Sequence, residues 1–271
     1  MSDSIYIQPI SLVTGPQAVE GDAVRLGGSM VYAHRFAVIT RRDGVVVERS
    51  ICGARDMAGV LGQLPVDLVV EAEEQWANLG KVHAPIQCGD RTIRLDQPQL
   101  MGILNVTPDS FSDGGQFMDD PDAMRTQASA MHEAGAAIID IGGESTRPGA
   151  AAVWEGDELK RVVPAVEYCA GMGAAVSIDT RRPGVMEAAL EVGAHIINDV
   201  SALRHDPRSV EFAASTGKPV ILMHAPGPSN AEAEDLHANG DYTDVAFDVF
   251  DWLKEVRDRA IAGGIAREKI I

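Results

Sequence analysis

The sequence predicts an α/β protein built on a TIM-type (β/α)₈ barrel, followed from its first strand to the start of its sixth and preceded by a small α/β extension. Three observations carry that prediction. From about residue 100 onward, short apolar runs alternate strictly with helical patterns, an order that requires a parallel sheet. Two segments, Glu133-Ala-Gly-Ala-Ala-Ile-Ile-Asp140 and Glu191-Val-Gly-Ala-His-Ile-Ile-Asn198, repeat one unit: a helix end, a glycine suited to the left-handed C′ position, and a buried β-branched strand. Polar residues then follow each strand, at Asn105, Gly142-Gly-Glu144, Asp179, Asn198-Asp199 and His224. A barrel gathers the C-terminal ends of its strands on one face, whereas an open doubly wound sheet collects ligand contacts near a single switch point. The even spread favours the barrel.

Residues 1–97 are read as the extension and 98–271 as the barrel domain. Segments 4–11, 35–40 and 45–48 have strand character, and Arg41-Arg-Asp-Gly44 supplies a hairpin turn between the last two, because Asp-Gly tolerates positive φ. Helical patterns follow over 54–64 and 71–79. Residues 86–95, with Gly89-Asp90 at the turn, are expected to form a hairpin plugging the bottom of the barrel. Barrel strands are expected near 100–104, 137–141, 175–178, 195–198 and 219–223, with helices near 121–134, 155–171, 183–192, 206–216 and 242–263. Asp120-Pro121 and Asp206-Pro207 each put a capping carboxylate before a proline at the first helical position. Lys269-Ile-Ile271 opens a sixth strand.

Composition narrows the function. A chain of 271 residues with 45% hydrophobic residues can bury a large core. The formal charge of −17, with no extended basic stripe, disfavours nucleic acid and anionic membrane surfaces as partners. Cys52, Cys88 and Cys169 are odd in number and far apart, which argues against a disulfide scaffold or a thiolate zinc site. Residues 1–13 lack a secretory pattern, and no apolar run approaches the roughly 18 residues of a membrane span. The cytoplasm is the expected location.

The segment Gly102-Ile-Leu-Asn105-Val-Thr-Pro-Asp-Ser-Phe-Ser-Asp-Gly-Gly115 carries more polarity than a connector needs, running from an apolar strand into a loop of donors and acceptors. This loop and Asp140-Ile-Gly-Gly-Glu-Ser-Thr-Arg-Pro-Gly149 resemble the two signature loops of the dihydropteroate synthase family. Ser177-Ile-Asp-Thr180, Ile197-Asn-Asp-Val-Ser201 and Leu222-Met-His224 are similar to its later strand ends, so the resemblance covers roughly residues 98–271. It implies condensation of 6-hydroxymethyl-7,8-dihydropterin diphosphate with 4-aminobenzoate, giving dihydropteroate and diphosphate, with Mg²⁺. Under that reading Asp179 accepts two N–H groups of the guanidine-like pterin edge, Asn198 and Asp199 contribute further pterin contacts, and Met223 packs on the flat ring. Asn105 would ligand Mg²⁺ or diphosphate through its side-chain carbonyl, and Thr107, Asp109, Thr146 and Arg147 would belong to two closing loops near diphosphate and 4-aminobenzoate.

Plainer roles compete. Asn105-Val-Thr107 matches a glycosylation acceptor, which the missing secretory signal makes idle. Asp179 would also cap the helix after it, and Glu144 and Asp199 would equally serve as loop braces. His224 has no second histidine at ligand spacing and reads as structural, as does His195, while the acidic stretch 232–235 reads as a solvated loop. The family continues beyond the segment matching residue 271 through about three more βα units, so the chain is expected to be part of a longer enzyme and inactive alone. Two further readings share the pterin site: a methyltetrahydrofolate and corrinoid methyltransferase, which has no need of the 105–115 loop, and a non-catalytic pterin-binding protein. The extension would brace the barrel or a homodimer.

Overall fold

Five parallel strands pair in strictly sequential order along the second part of the chain, which separates a barrel-type sheet from a doubly wound one. The computed structural model describes residues 3–15, 21–107, 121–145, 153–225, 227 and 242–271. The chain divides into two units, one of Met1–Pro85 with Arg94–Pro98 and one of Ile86–Ile93 with Gln99–Ile271.

The first unit is an antiparallel sheet of β1 (Asp3–Thr14), β2 (Val24–Arg25), β3 (Val31–Arg42) and β4 (Val45–Gly53), with β3 between β1 and β4. The β3–β4 turn has positive φ at Asp43 (47°) and Gly44 (82°), as a two-residue hairpin turn requires. Helices α1 (Met57–Leu61) and α2 (Val66–Leu79) cover Ile5, Ile7, Ala33, Phe36 and Val38. Phe36 meets Trp76 of α2 edge-on at 4.7 Å. Gln75 donates to the Ile5 carbonyl at 2.7 Å and accepts from the Ile7 N–H at 2.9 Å, so a helix side chain satisfies backbone groups of an edge strand. Helix α2 starts five residues before its expected position because Val66 and Val70 face solvent and break the apolar period there.

The second unit opens with a hairpin, β5 (Ile86–Cys88) and β6 (Arg91–Ile93). Its sheet runs β7 (Met101–Asn105), β8 (Ile138–Gly142), β9 (Ala175–Asp179), β10 (Ile196–Asp199), β11 (Val220–Leu222), and is not closed. Ile270 bridges Val220 in parallel, where a sixth strand was expected. Helices α3 (Pro121–Glu133), α4 (Glu155–Gly171), α5 (Pro183–Glu191), α6 (Ser209–Thr216) and α7 (Val245–Ala262) pack on the outer face. There Leu104, Ile139, Ile141, Val176 and Ile178 meet Met124, Val162, Val166 and Val185, and Ile197 and Val220 meet Met186, Ala213 and Ala260. Gly135 and Gly193 follow their helices with φ of 92° and 113°, the left-handed C′ geometry expected of the repeat. One expected helix start is corrected: Asp206 does not cap α6, which begins at Ser209. The Asp206 carboxylate instead accepts from the Arg208 N–H at 2.8 Å and pairs with the Arg208 guanidinium, closing a turn before the helix. Asp120 lies outside the described residues.

Candidate functional site

Alternation along each strand sorts the side chains into an outer set, packed on helices, and an inner set stacked in layers. The lowest inner layer is apolar: Ile138, Ala175 and Ile196, near the strand starts, pack on Cys88 and Ile93 of the hairpin. One residue pair higher, Asp140 and Ser177 are register partners on β8 and β9. The top layer holds Asn105 beside Gly142, Gly142 beside Asp179, and Asp179 beside Asn198.

Gly142 is what allows the top layer to converge. A Cβ there would stand 3.1 Å from Asn105 Oδ1 and 3.5 Å from Asp179 Oδ2, so both side chains lean over the same bare backbone. At Gly143 a Cβ would stand 2.6 Å from Val162 and 3.0 Å from the Glu158 side chain, so α4 rests directly on that turn. Asn198 Nδ2 donates to Asp140 Oδ2 at 3.1 Å. Four residues from four strands thus meet at one end of the sheet, among them Asn105, Asp179 and Asn198, which the sequence singled out. Asp140 it passed over, although its place two residues before Gly142 puts it on the same inner face.

The electrostatics are those of a crowded acidic cavity. Burial, reinforced by the charges of Asp140, Asp199, Glu158 and Glu144, holds the Asp179 carboxyl well above the ordinary range. Burial also pushes Asp140 up, against the opposing influence of Ser177 and Asn198. A carboxylate here gains from a ligand that brings N–H donors.

A ring of ion pairs braces the rim. Arg181 Nε donates to Glu144 at 3.0 Å and Arg182 Nη2 at 2.8 Å, while Arg182 also donates to Glu158 and, at 2.8 Å, to the Val153 carbonyl. Thr180 Oγ1 donates to Glu158 at 2.6 Å. Burial opposes ionisation of Glu144, but hydrogen bonds from Arg182 and Arg181 and their charges hold it below the ordinary range. Glu144 is a brace, one of its two anticipated roles.

Asp199, expected as a ligand contact, is instead engaged by its own loop. It is fully buried, Oδ1 accepts from Ser201 N (2.7 Å) and Oγ (2.6 Å), and Oδ2 accepts from Leu203 N at 3.2 Å. Burial pushes its carboxyl up to about 6, against these hydrogen bonds. Alternation accounts for this bracing role, the second of the two anticipated for Asp199: the neighbour of an inward Asn198 cannot also face inward. Met223 packs beside Val200 and Ala225 just past β11, and Thr107 is buried beyond β7. His224 meets the Trp252 ring at 4.9 Å, and His195 Nδ1 accepts from Val176 N at 3.2 Å; both act structurally. Asp109, Thr146, Arg147 and the acidic stretch 232–235 lie outside the described residues.

Among the described residues no group of three His, Cys, Asp or Glu side chains could hold a metal ion. One donor of suitable chemistry among the described residues is the Asn105 side-chain carbonyl oxygen, since hard cations take oxygen ligands. A separate cavity of about 360 Å³ between α3 and α4, lined by Val106, Met124, Lys160 and Arg161, contains none of the four converging residues.

Comparison with known proteins supplies the family. The family model for pterin binding enzymes matches residues 101–271. The dihydropteroate synthase of Escherichia coli K12 is 46% identical over 181 residues, covering 66% of this chain and 62% of that protein. Among solved structures, Xanthomonas albilineans dihydropteroate synthase with 4-aminobenzoic acid aligns at TM-score 0.61 and 40% identity, covering 70% of this chain and 65% of that one. Burkholderia cenocepacia dihydropteroate synthase complexed with 7,8-dihydropteroate aligns at 0.58 and 36% identity, covering 69% and 62%. The chain thus spans just under two thirds of the length of these relatives. With sequential parallel strands, a polar cluster at their C-terminal ends and this match over its second unit, the chain belongs to the pterin-binding enzyme family.

Proposed function

We propose that this chain provides the pterin-binding part of a dihydropteroate synthase, joining 6-hydroxymethyl-7,8-dihydropterin diphosphate to 4-aminobenzoate. The observation that supports it most is the convergence of Asn105 and Asp179 over Gly142, with Asn198 beside Asp179. In the reaction the amine nitrogen bonds to the pterin methylene carbon, the carbon–oxygen bond to diphosphate breaks, and the amine loses a proton.

Asp179, ionised once the ligand arrives, accepts two N–H groups from the pterin edge and fixes the ring plane. Asn198 reads the neighbouring position, and Met223, packed beside Val200 and Ala225, would supply apolar contact to the flat ring. Asn105 would hold Mg²⁺ through Oδ1, and that ion would supply positive charge to the diphosphate group. Thr107, Asp109, Thr146 and Arg147 are assigned to diphosphate and 4-aminobenzoate from the family resemblance. No helix among the described residues is long and apolar enough to cross a membrane. The same reading places the protein in the cytoplasm, where Cys52, Cys88 and Cys169 stay free thiols.

The test is calorimetric titration of the 271-residue chain with 6-hydroxymethylpterin, followed by a diphosphate-release assay with Mg²⁺ and 4-aminobenzoate. Binding is expected, with Asp179→Asn weakening it about 100-fold, the scale of hydrogen bonds to a charged group. Absence of binding by the unaltered chain would remove the assignment. Methyl transfer from methyltetrahydrofolate to a corrinoid, without diphosphate release, would replace it.

A further inference from the structure

Asp140 is the one carboxylate at the centre of the inner face that the proposed reaction leaves without a task. It sits mid-strand on β8, is 6% exposed, and lies one layer below Gly142 and Asp179. Oδ2 takes the Asn198 amide nitrogen at 3.1 Å. Oδ1 is fully buried and has no hydrogen-bond partner among the described residues, and the same holds for Oγ of its register partner Ser177. Ser177 lies close enough to favour the Asp140 carboxylate but not to make a well-formed hydrogen bond, so Asn198 is its one close partner among the described residues, and a buried acid so placed is costly to keep unless that partner needs it.

What the contact settles is the direction of the Asn198 side chain. An amide presents donors at its nitrogen end and an acceptor at its oxygen end, and a carboxylate oxygen accepts only from the nitrogen. With one Nδ2 hydrogen anchored to the layer below, the plane of the amide is fixed and its carbonyl end points away from Asp140. We infer that Asp140 is a positioning residue that sets the polarity of recognition: by holding Asn198 Nδ2 it turns Asn198 Oδ1 to the ligand space, so that Asn198 and Asp179 together present acceptors to a flat heterocycle with adjacent N–H donors.

This inference rests on the pterin reading and deepens it. Asp140 itself touches no ligand. It acts through Asn198, and its charge stands first among those that raise the Asp179 carboxyl, so N–H donors brought by a ligand offset that repulsion.

The experiment measures a ratio, because a merely structural role would weaken all ligands alike. Affinities of the unaltered chain for 6-hydroxymethylpterin and for 6-hydroxymethyllumazine, which carries a carbonyl in place of the 2-amino group, give the preference for a donor edge. In Asp140→Asn the new amide offers its own N–H groups to Asn198 Oδ1 and lets Asn198 reverse. Asp140→Leu, branched like the carboxylate though larger, and suited to the apolar interior, releases Asn198 without replacing the partner and serves if the first variant does not fold. Either variant is expected to reduce the pterin-to-lumazine preference about tenfold, in keeping with the discrimination that a hydrogen-bonding site loses when its polarity is lost. In an Asn198→Ala background the preference is expected to be indifferent to residue 140. Equal weakening of both ligands, an unchanged ratio, or a full effect of residue 140 without the Asn198 amide would overturn the inference while leaving pterin binding intact. Failure of the unaltered chain to bind pterin would instead sink the functional reading, and this inference with it.

Discussion

Asp179 shows at the scale of one residue how function and stability pull apart. Its carboxyl is held well above the ordinary range by burial and by neighbouring acids, so the folded protein binds that proton more tightly than the unfolded chain. The associated stability is therefore present below the unfolded value of about 4 and is lost as pH rises through the folded value. Asp179→Asn cannot ionise, and urea unfolding at pH 8 should give a higher midpoint than the unaltered protein even though pterin binding is weakened about 100-fold. A lower midpoint would mean that the carboxylate is satisfied by the protein alone. Asp199 has a raised carboxyl too, yet removing its side chain acts in the opposite direction. Its carboxylate supports Ser201 and Leu203, the second of which has a φ of 57°, so Asp199→Ala strands buried donors and should cost about 1–3 kcal/mol. Urea titration at neutral pH measures that loss, and a change within about 0.5 kcal/mol would contradict the bracing role. Asn105, Asp179 and Asn198 were legible because each ends a strand and keeps inward parity. Asp140 was not, because an acid inside Ile-Ile-Asp-Ile reads as part of the strand until its partner across the sheet is known.

At the scale of elements, Arg182 ties three segments together: the turn after β8 through Glu144, the start of α4 through Glu158, and the chain before α4 through the Val153 carbonyl. Glu158 is fully buried and Glu144 nearly so. Removing the guanidinium leaves two buried carboxylates short of a partner, and breaking such a pair from one side costs about 3–5 kcal/mol. Arg182→Ala should lower the urea midpoint accordingly, and Arg182→Lys should recover only part of it, since one ammonium cannot reproduce the forked contacts. Full recovery by lysine would show that charge alone matters there. Helix and strand positions were readable where apolar periodicity and capping chemistry agreed, as for α4 at Glu155–Gly171. They slipped where chemistry offered a local alternative. Asp206 found Arg208 before it found a helix end, exposed valines concealed the first turn of α2, and the two-residue β2 is too short to carry a pattern.

For the whole molecule, sequential strand order was legible because each βα unit repeats the same local grammar, while the partners of inner-face side chains depend on which strands become neighbours. The same division makes a final prediction. The first unit has its own apolar core around Phe36 and Met57, and the residues assigned to pterin all lie in the second. A ligand that binds only the folded state stabilises what it binds by RT ln(1 + [L]/Kd), about 2.7 kcal/mol at a hundredfold excess over Kd. Hydrogen exchange with saturating 6-hydroxymethylpterin should therefore slow the slowest amides of β8, β9 and β10 by about 100-fold, while those of β1 and β3 serve as the internal comparison and change little. Equal slowing in β1 and β3 would mean that both units open in one cooperative step. Slowing confined to β1 and β3 would place the ligand away from Asp179 and Asn198 and would contradict the site built above.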